Sequence, residues 1–177
     1  RINLFDMKYS FDSSEGFDFI YLLFPYFLRK AVRQGVFRTY RNFEKNDDAV
    51  KGPVNISSHI RQNIPFNGRI AYRCREYTSD NHITQLIRHT IEYIKTKKTG
   101  AGILNQDSET IQAVRQISEM TNSGYSPQKR SKVLYDNFRL INHPYFTEYN
   151  RLQKLCLMIL NHRKIRYVEN ISSENKI

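Results

Sequence analysis

The sequence predicts an α+β fold, mostly helical, with a small antiparallel β element at about residues 36–78. Three observations predict it. Apolar residues recur at helical spacing in five separate stretches. Between the first two of these the period changes to an alternation of two. Turn residues, Gly52-Pro53 and Asn67-Gly68 among them, punctuate that middle region.

Taken in order, the first sixteen residues are mixed. Asp12, Ser13 and Ser14 offer an N-cap for a helix over about 17–34, built on Ile20, Leu23, Phe24, Phe27, Leu28 and Ala31. Tyr21 and Leu22 fill its other side, so its first half is expected to be buried nearly all round. Pro25 lacks an N–H and should kink it, and Gly35 supplies a stop. Val36, Tyr40 and Phe43 alternate with Arg38, Arg41 and Lys45 as extended chain up to a turn at Asn46-Asp47-Asp48. Ser57 or Ser58 caps a short helix through His59, Ile60, Arg61 and Gln62, which Pro65 ends. Residues 69–77 alternate as a strand, with Ile70, Tyr72 and Cys74 on one face and Arg69, Ala71, Arg73 and Arg75 on the other. The arginine face reads equally as a solvated sheet face or as a binder of phosphate or carboxylate.

Asp80 or Asn81 starts the clearest helix, on Ile83, Leu86, Ile87, Ile91 and Ile94, with Gln85, Arg88, Glu92 and Lys95 away from that stripe. Residues 97–102 read as a loop. A helix over about 108–120 follows on Ile111, Val114 and Ile117. Ser126-Pro127 opens another, with Val133, Leu134, Phe138 and Ile141, broken at His143-Pro144. The last helix carries Tyr149, Leu152, Leu155, Cys156, Ile159 and Leu160, and residues 161–177 become polar.

The chain has 177 residues with 28 Lys+Arg and 17 Asp+Glu, a net charge of +11. The surplus is concentrated: residues 29–98 hold fifteen Lys/Arg and six Asp/Glu, a net of +9. Such a surplus favours encounters with polyanions, nucleic acid first, although an acidic protein partner would be favoured by the same field. Forty per cent apolar residues exclude a disordered tail. Two cysteines, Cys74 and Cys156, exclude a disulfide-built domain and a four-thiolate zinc site, and both fit the core of a protein in a reducing compartment. The densest apolar stretch, 17–28, contains Asp18 and Pro25 and is too short to span a bilayer. No secretory signal is visible after Arg1, and the chain reads as a processed piece or as a fragment of something longer.

No phosphate-binding GxxxxGK[ST] and no HExxH occurs, so neither nucleotide hydrolysis nor zinc-dependent hydrolysis is expected of this chain. His59, His82, His89, His143 and His162 never take metal-ligand spacing and read as surface or capping residues. Glu174-Asn175-Lys176 spells half of a metal-dependent nuclease motif, but no Pro-Asp precedes it at a plausible distance. No catalytic residue and no metal ligand is expected.

One stretch is more specific than composition. It runs Val50-Lys51-Gly52-Pro53-Val54-Asn55-Ile56-Ser57-Ser58-His59-Ile60-Arg61-Gln62-Asn63, then Asn67-Gly68-Arg69-Ile70-Ala71-Tyr72, then Asp80-Asn81-His82-Ile83-Thr84-Gln85-Leu86-Ile87-Arg88-His89-Thr90-Ile91. This resembles the McrC family, the nuclease-bearing subunit of McrBC-type restriction systems, and most closely its LlaJI-like branch. The family shows a K/R-G-x-I/V strand, an x-I-R-x-N helix, an N-G-K/R turn with a strand, and an acidic start to a long helix. The likeness extends to residues 19–35 and 144–160, with Pro53-Val54 and Thr84-Gln85 departing from the usual family residues.

The resemblance implies a cytoplasmic restriction endonuclease subunit that docks on a McrB-like AAA+ GTPase ring and stimulates its hydrolysis of GTP. It implies a partner-docking region over 1–165 and a polar tail, 166–177, leading to a PD-(D/E)xK nuclease domain outside this chain. Cofactors follow the same division: none here, Mg²⁺ in that nuclease domain and GTP in the partner. The expected contacts to partner or DNA are Arg61, Arg69, Arg73, Arg75 and Arg88; Arg61 alternatively pairs with Glu76 or Asp80 inside the fold. Gly52, Gly68 and Asp80 are expected to be structural, the glycines as turns and Asp80 as a helix cap. The rival reading is a module that grips DNA directly through residues 29–98.

Overall fold

The computed structural model describes residues 15–161. The cap at Asp12, Ser13 and Ser14, the tail 166–177 and Glu174-Asn175-Lys176 lie outside the described residues. The elements run α1 (Glu15–Arg33), β1 (Thr39–Asp47), α2 (Ile56–Asn63), β2 (Ile70–Thr78), α3 (His82–Lys95), α4 (Gly100–Leu104), α5 (Ser108–Thr121), a 3₁₀ turn at Pro127–Lys129, α6 (Arg130–Asp136) and α7 (Thr147–Leu160). The chain is α+β, with one two-stranded antiparallel sheet among the described residues. It divides into two compact units: Phe37–Asn81 forms one, and the helices before and after it form the other.

The helical unit is built on α3, which packs against α4, α5, α6 and α7, while α1 packs on α4, α5 and α7. Ile83, Leu86, Ile87, Ile91 and Ile94 are all fully buried, as their spacing predicts. The helix is nevertheless buried well beyond that stripe. Gln85, placed outside it from sequence, is buried and donates to the Thr121 carbonyl at 3.1 Å. Thr90 is buried with its hydroxyl bonded to the Leu86 carbonyl at 2.9 Å. A second polar knot joins α7 to the chain before it. Buried Gln153 donates to Asn137 Oδ1 at 3.0 Å and accepts from the Ile141 amide at 2.8 Å, while Asn137 donates to the His82 carbonyl. At the other end of α7, Gln34 Oε1 accepts from the Glu148 amide, so a residue just past α1 satisfies one of α7's orphan donors.

Several elements depart from expectation. The buried face of α1 is Tyr21, Phe24, Leu28 and Ala31; Leu22 and Tyr26 are exposed, so its first half is not buried all round. The inward face of α5 is Thr110, Ala113, Ile117 and Thr121, leaving Ile111 exposed. The two threonines can face inward because each hydroxyl finds an oxygen: Thr121 the Ile117 carbonyl, Thr110 the carboxylate of the capping Asp107. Arg29 pairs with Asp107 and Arg33 with Glu109, tying α1 to the start of α5. Residues 100–104 are helical rather than loop, and Gly100 passes so close to the Ile94 carbonyl that no side chain fits there. Helix α6 ends at Asp136 and leaves Phe138 exposed. His89 is buried against the Tyr125 ring, not a surface residue. Cys156 is fully buried, its thiol pushed up to about 12 by burial, as suits a core residue.

In the smaller unit β1 and β2 pair antiparallel from Thr39↔Thr78 to Asp47↔Ile70. Asn46 and Asp47, expected to turn, stay in the ladder opposite Ala71 and Ile70. One sheet face carries Phe43, Tyr72 and Cys74, the last two buried, and the Tyr72 hydroxyl donates to Asp47 at 3.1 Å. Among the described residues no helix is long and apolar enough to cross a membrane.

Burial, then the charges of Arg130 and Arg88, hold the His89 imidazole below its usual 6.5. The unfolded chain therefore takes up the proton more readily. The resulting stability is present above about pH 6.5 and is lost as pH falls below it toward the lower value of the folded protein. Replacing His89 with Gln should flatten the fall in stability between about pH 7 and 5, read as the pH slope of the urea midpoint in both proteins.

Candidate interaction surface

The smaller unit places four of the five arginines expected to make contacts, and its architecture follows from one close approach. Gly52 passes directly over β2: a Cβ there would overlap the Arg73 carbonyl oxygen. Its role is this proximity, not the turn expected of it. Because the chain comes so near, residues 53–55 run antiparallel along the free edge of β2. The Arg73 amide donates to the Pro53 carbonyl at 2.9 Å and the Asn55 amide to the Ala71 carbonyl at 2.8 Å, with Val54 bridged to Tyr72. Both edges of β2 are thus occupied at this point.

Asn55, held on that edge, starts α2. Its side chain accepts from the Ser58 amide at 3.3 Å, so Asn55 is the cap in place of Ser57 or Ser58. The helix then turns its polar side inward. Ser58 and Asn63 are buried. Asn63 Nδ2 donates to Asn46 Oδ1 at 2.8 Å, Asn46 Nδ2 donates back to Asn63 Oδ1 at 3.1 Å, and Asn63 Nδ2 also lies 2.9 Å from His59 Nδ1. The helix is consequently inverted. Ile56 is 68% exposed, Ile60 54%, Ile64 67% and Phe66 69%. Isolated exposed apolar residues are ordinary; four of them within eleven residues, beside a helix that buries Ser58 and Asn63 instead, mark an interaction surface.

The arginines surround this unit in different ways. Arg61 lies exposed on α2 beside Ile60, its guanidinium 3.5 Å from the Ser58 hydroxyl. Neither internal partner foreseen for it is available: Glu76 pairs with Lys45, and Asp80 receives Arg41, whose Nη1 donates to the Asp80 carbonyl at 2.6 Å. The Lys45 ammonium, through its hydrogen bond, holds the Glu76 carboxyl below the usual range. Arg69 is exposed at the turn where Gly68 has φ +82°, a left-handed conformation that glycine adopts freely. Arg73 pairs with Glu44 at 3.2 Å. Arg75 lies 4.7 Å from the Tyr40 ring centre, and Tyr40 in turn stacks on Tyr77 at 5.0 Å. Arg61, Arg69 and Arg75 have no ion-pair partner among the described residues. Arg88 belongs to the helical unit, with its side chain only 15% exposed, paired with Glu92 at 3.2 Å and set over the Tyr125 ring.

The charge of this surface is as one-sided as the sequence implies. From Ala49 to Arg75 there is no Asp or Glu, against five Lys/Arg. A small recess beside α2, lined by Glu44, Asn46, Asn55, Ser58 and Gln62, measures about 60 Å³. Small-molecule sites run to several hundred Å³, so this recess is not a substrate pocket. No cluster of three or more His, Cys, Asp or Glu suited to a metal ion occurs among the described residues. What the unit offers is a surface: an apolar stripe with cations, and a sheet face with two exposed tyrosines. Sequence reasoning found the cations. It missed the exposure of Ile56, Ile60 and Ile64, whose spacing reads the same for a core as for a partner.

A family model described as "McrBC 5-methylcytosine restriction system component" matches residues 8–174. No curated protein matches the chain. Among solved structures, a chain of the Thermococcus gammatolerans McrBC complex, determined by cryo-electron microscopy, is similar at 14% identity with a TM-score of 0.52, covering 98% of this chain and 52% of that one. A refined half-complex of the tetradecameric assembly of Thermococcus gammatolerans McrB AAA+ hexamers with bound McrC is similar at 14% identity and a TM-score of 0.49, covering 86% of this chain and 38% of that one. At this identity the first likeness concerns the fold, and the chain spans about half the length of that relative.

Gly52→Ala should destabilise the protein toward the upper end of the ~0.5–3 kcal/mol common for single substitutions, because backbone must move to admit the methyl group. Gly102→Ala, where an added Cβ meets nothing within 4 Å, should be neutral or slightly stabilising. Urea unfolding of the two variants measures the contrast.

Proposed function

The chain belongs to the McrBC 5-methylcytosine restriction system component family, and from that premise we propose that it is the partner-docking part of a McrC-like subunit, of the LlaJI-like branch. In this reading residues 1–165 dock on a McrB-like AAA+ GTPase and stimulate its hydrolysis of GTP. DNA cleavage belongs to a Mg²⁺-dependent PD-(D/E)xK domain beyond residue 177, and GTP to the partner, so this chain itself carries no catalytic residue and no cofactor. The observation that carries the reading is the exposed cationic surface of the smaller unit, with Arg61 and Arg69 free of ion pairs among the described residues. A guanidinium is weakly hydrated and forks onto a carboxylate, which makes such residues effective at protein interfaces. Arg73, already paired with Glu44, and Arg88, paired in the helical unit, are less suited to the contact.

One further observation favours a second reading, direct contact with DNA. Tyr40 and Tyr77 are 58% and 55% exposed on the sheet face that bears Arg73 and Arg75. Aromatic rings beside arginine suit nucleic acid, by stacking and phosphate contact.

GTP turnover by the McrB-like GTPase of the same system, with and without this chain at physiological salt, tests the first reading. Stimulation is expected, and the double variant Arg61→Ala/Arg69→Ala should reduce it several-fold. Absence of stimulation by the folded chain would count against it. Affinity for random duplex that falls steeply with salt, and falls again in Arg75→Ala, would support the second reading.

A further inference from the structure

We propose that Ile56 and Ile60 of α2, with Ile64 and Phe66 just past its end, form the apolar anchor of a protein interface whose other side is an apolar segment flanked by carboxylates. The inference rests on the docking function above and adds to it the surface that docks and the chemistry it docks against. The helix is held by Asn55 at its start and by Asn63, paired with Asn46, at its end. Turning the helix to bury the isoleucines would break the Asn46–Asn63 pair. The fold therefore retains an arrangement that exposes four large apolar side chains, which is favourable only where something else covers them.

The occupant follows from charge. The stripe lies in the acid-free run 49–75, with Arg61 between Ile60 and Ile64 in sequence and Arg69 shortly after Phe66. A second copy of this chain would bring Arg61 and Arg69 against their own kind, and Glu44, the carboxylate beside α2, is already paired with Arg73. Nucleic acid would meet three isoleucines that neither stack nor form hydrogen bonds. A lipid surface would be offered a helix of eight residues, short beside most interfacial helices. An apolar protein segment with acidic flanks satisfies both halves of the patch.

The test is equilibrium binding of the full chain, wild type and variants, to the McrB-like GTPase of the same system in the presence of GTP. The variants are Ile60→Asp, Phe66→Ser and Arg61→Glu. All three positions are exposed, so far-UV circular dichroism should be unchanged. Ile60→Asp and Phe66→Ser should each weaken binding at least about tenfold, as removal of an interface anchor does. Arg61→Glu should weaken it too, and more at low salt than at high salt. Wild-type affinity in the two apolar variants would overturn the proposal while leaving the docking function standing. No binding by the wild type would overturn both. Two other results would also overturn it by assigning the stripe elsewhere: a wild-type dimer that Ile60→Asp converts to monomer in sedimentation, or cosedimentation with phosphatidylglycerol vesicles that Ile60→Asp abolishes.

Discussion

The smaller unit depends on the pair of backbone hydrogen bonds that fasten residues 53–55 to the outer edge of β2. A two-stranded sheet is marginal by itself, because each strand keeps one edge open and one face wet. Here the chain closes the edge of β2 after β1 has closed the other. Gly52 permits the approach, Asn55 is delivered to cap α2, and α2 is thereby launched with Ser58 and Asn63 facing inward. The exposed isoleucines are the far end of this sequence of constraints. Their position is decided by the backbone bonding of Pro53 and Asn55 just ahead of the helix, not by any preference of isoleucine for water.

The two units solve burial differently. In the helical unit apolar stripes meet, and polar residues enter only where an oxygen or amide awaits them. Gln153, Asn137, Gln85 and the threonines of α3 and α5 are all satisfied in this way. Each such group left without its partner would cost about 1–3 kcal/mol, so these bonds fix which packing is accepted. In the smaller unit the core is slight, with Tyr72, Cys74 and Ala71 its buried members on β2, and amide pairs such as Asn46–Asn63 do the holding that apolar packing does elsewhere. A unit held by polar bonds can leave apolar surface free for other contacts.

How much of this was legible in the sequence depends on the kind of signal. The run Ile83, Leu86, Ile87, Ile91, Ile94 was unambiguous, because a strong period leaves one face to bury. Strand β2 was legible from its alternation, and the turn at Gly68 from the Asn67-Gly68 pair. Helix α5 was misread by one residue: Thr110 and Thr121 look polar, yet a hydroxyl bonded to a nearby oxygen is buried at little cost. The inversion of α2 was not legible at all, since an isoleucine four residues from another reads the same whether it faces a core or a partner. What distinguishes the two is the Asn46–Asn63 pair, formed across seventeen positions. The cationic residues were found from composition, whereas their pairing, Glu76 with Lys45 and Asp80 with Arg41, was a matter of tertiary reach.

The register of the sheet also sets the order in which this unit assembles. Asp47 and Ile70 pair across the twenty-two residues between them, so β1 and β2 are not a hairpin. Closing a loop of that size costs entropy before any ladder bond compensates. Helix α2 spans part of the gap, and its amide pair with Asn46 holds it to the end of β1, so helix and sheet support one another. The exposed isoleucines are therefore displayed by the closed unit as a whole and not by the helix alone.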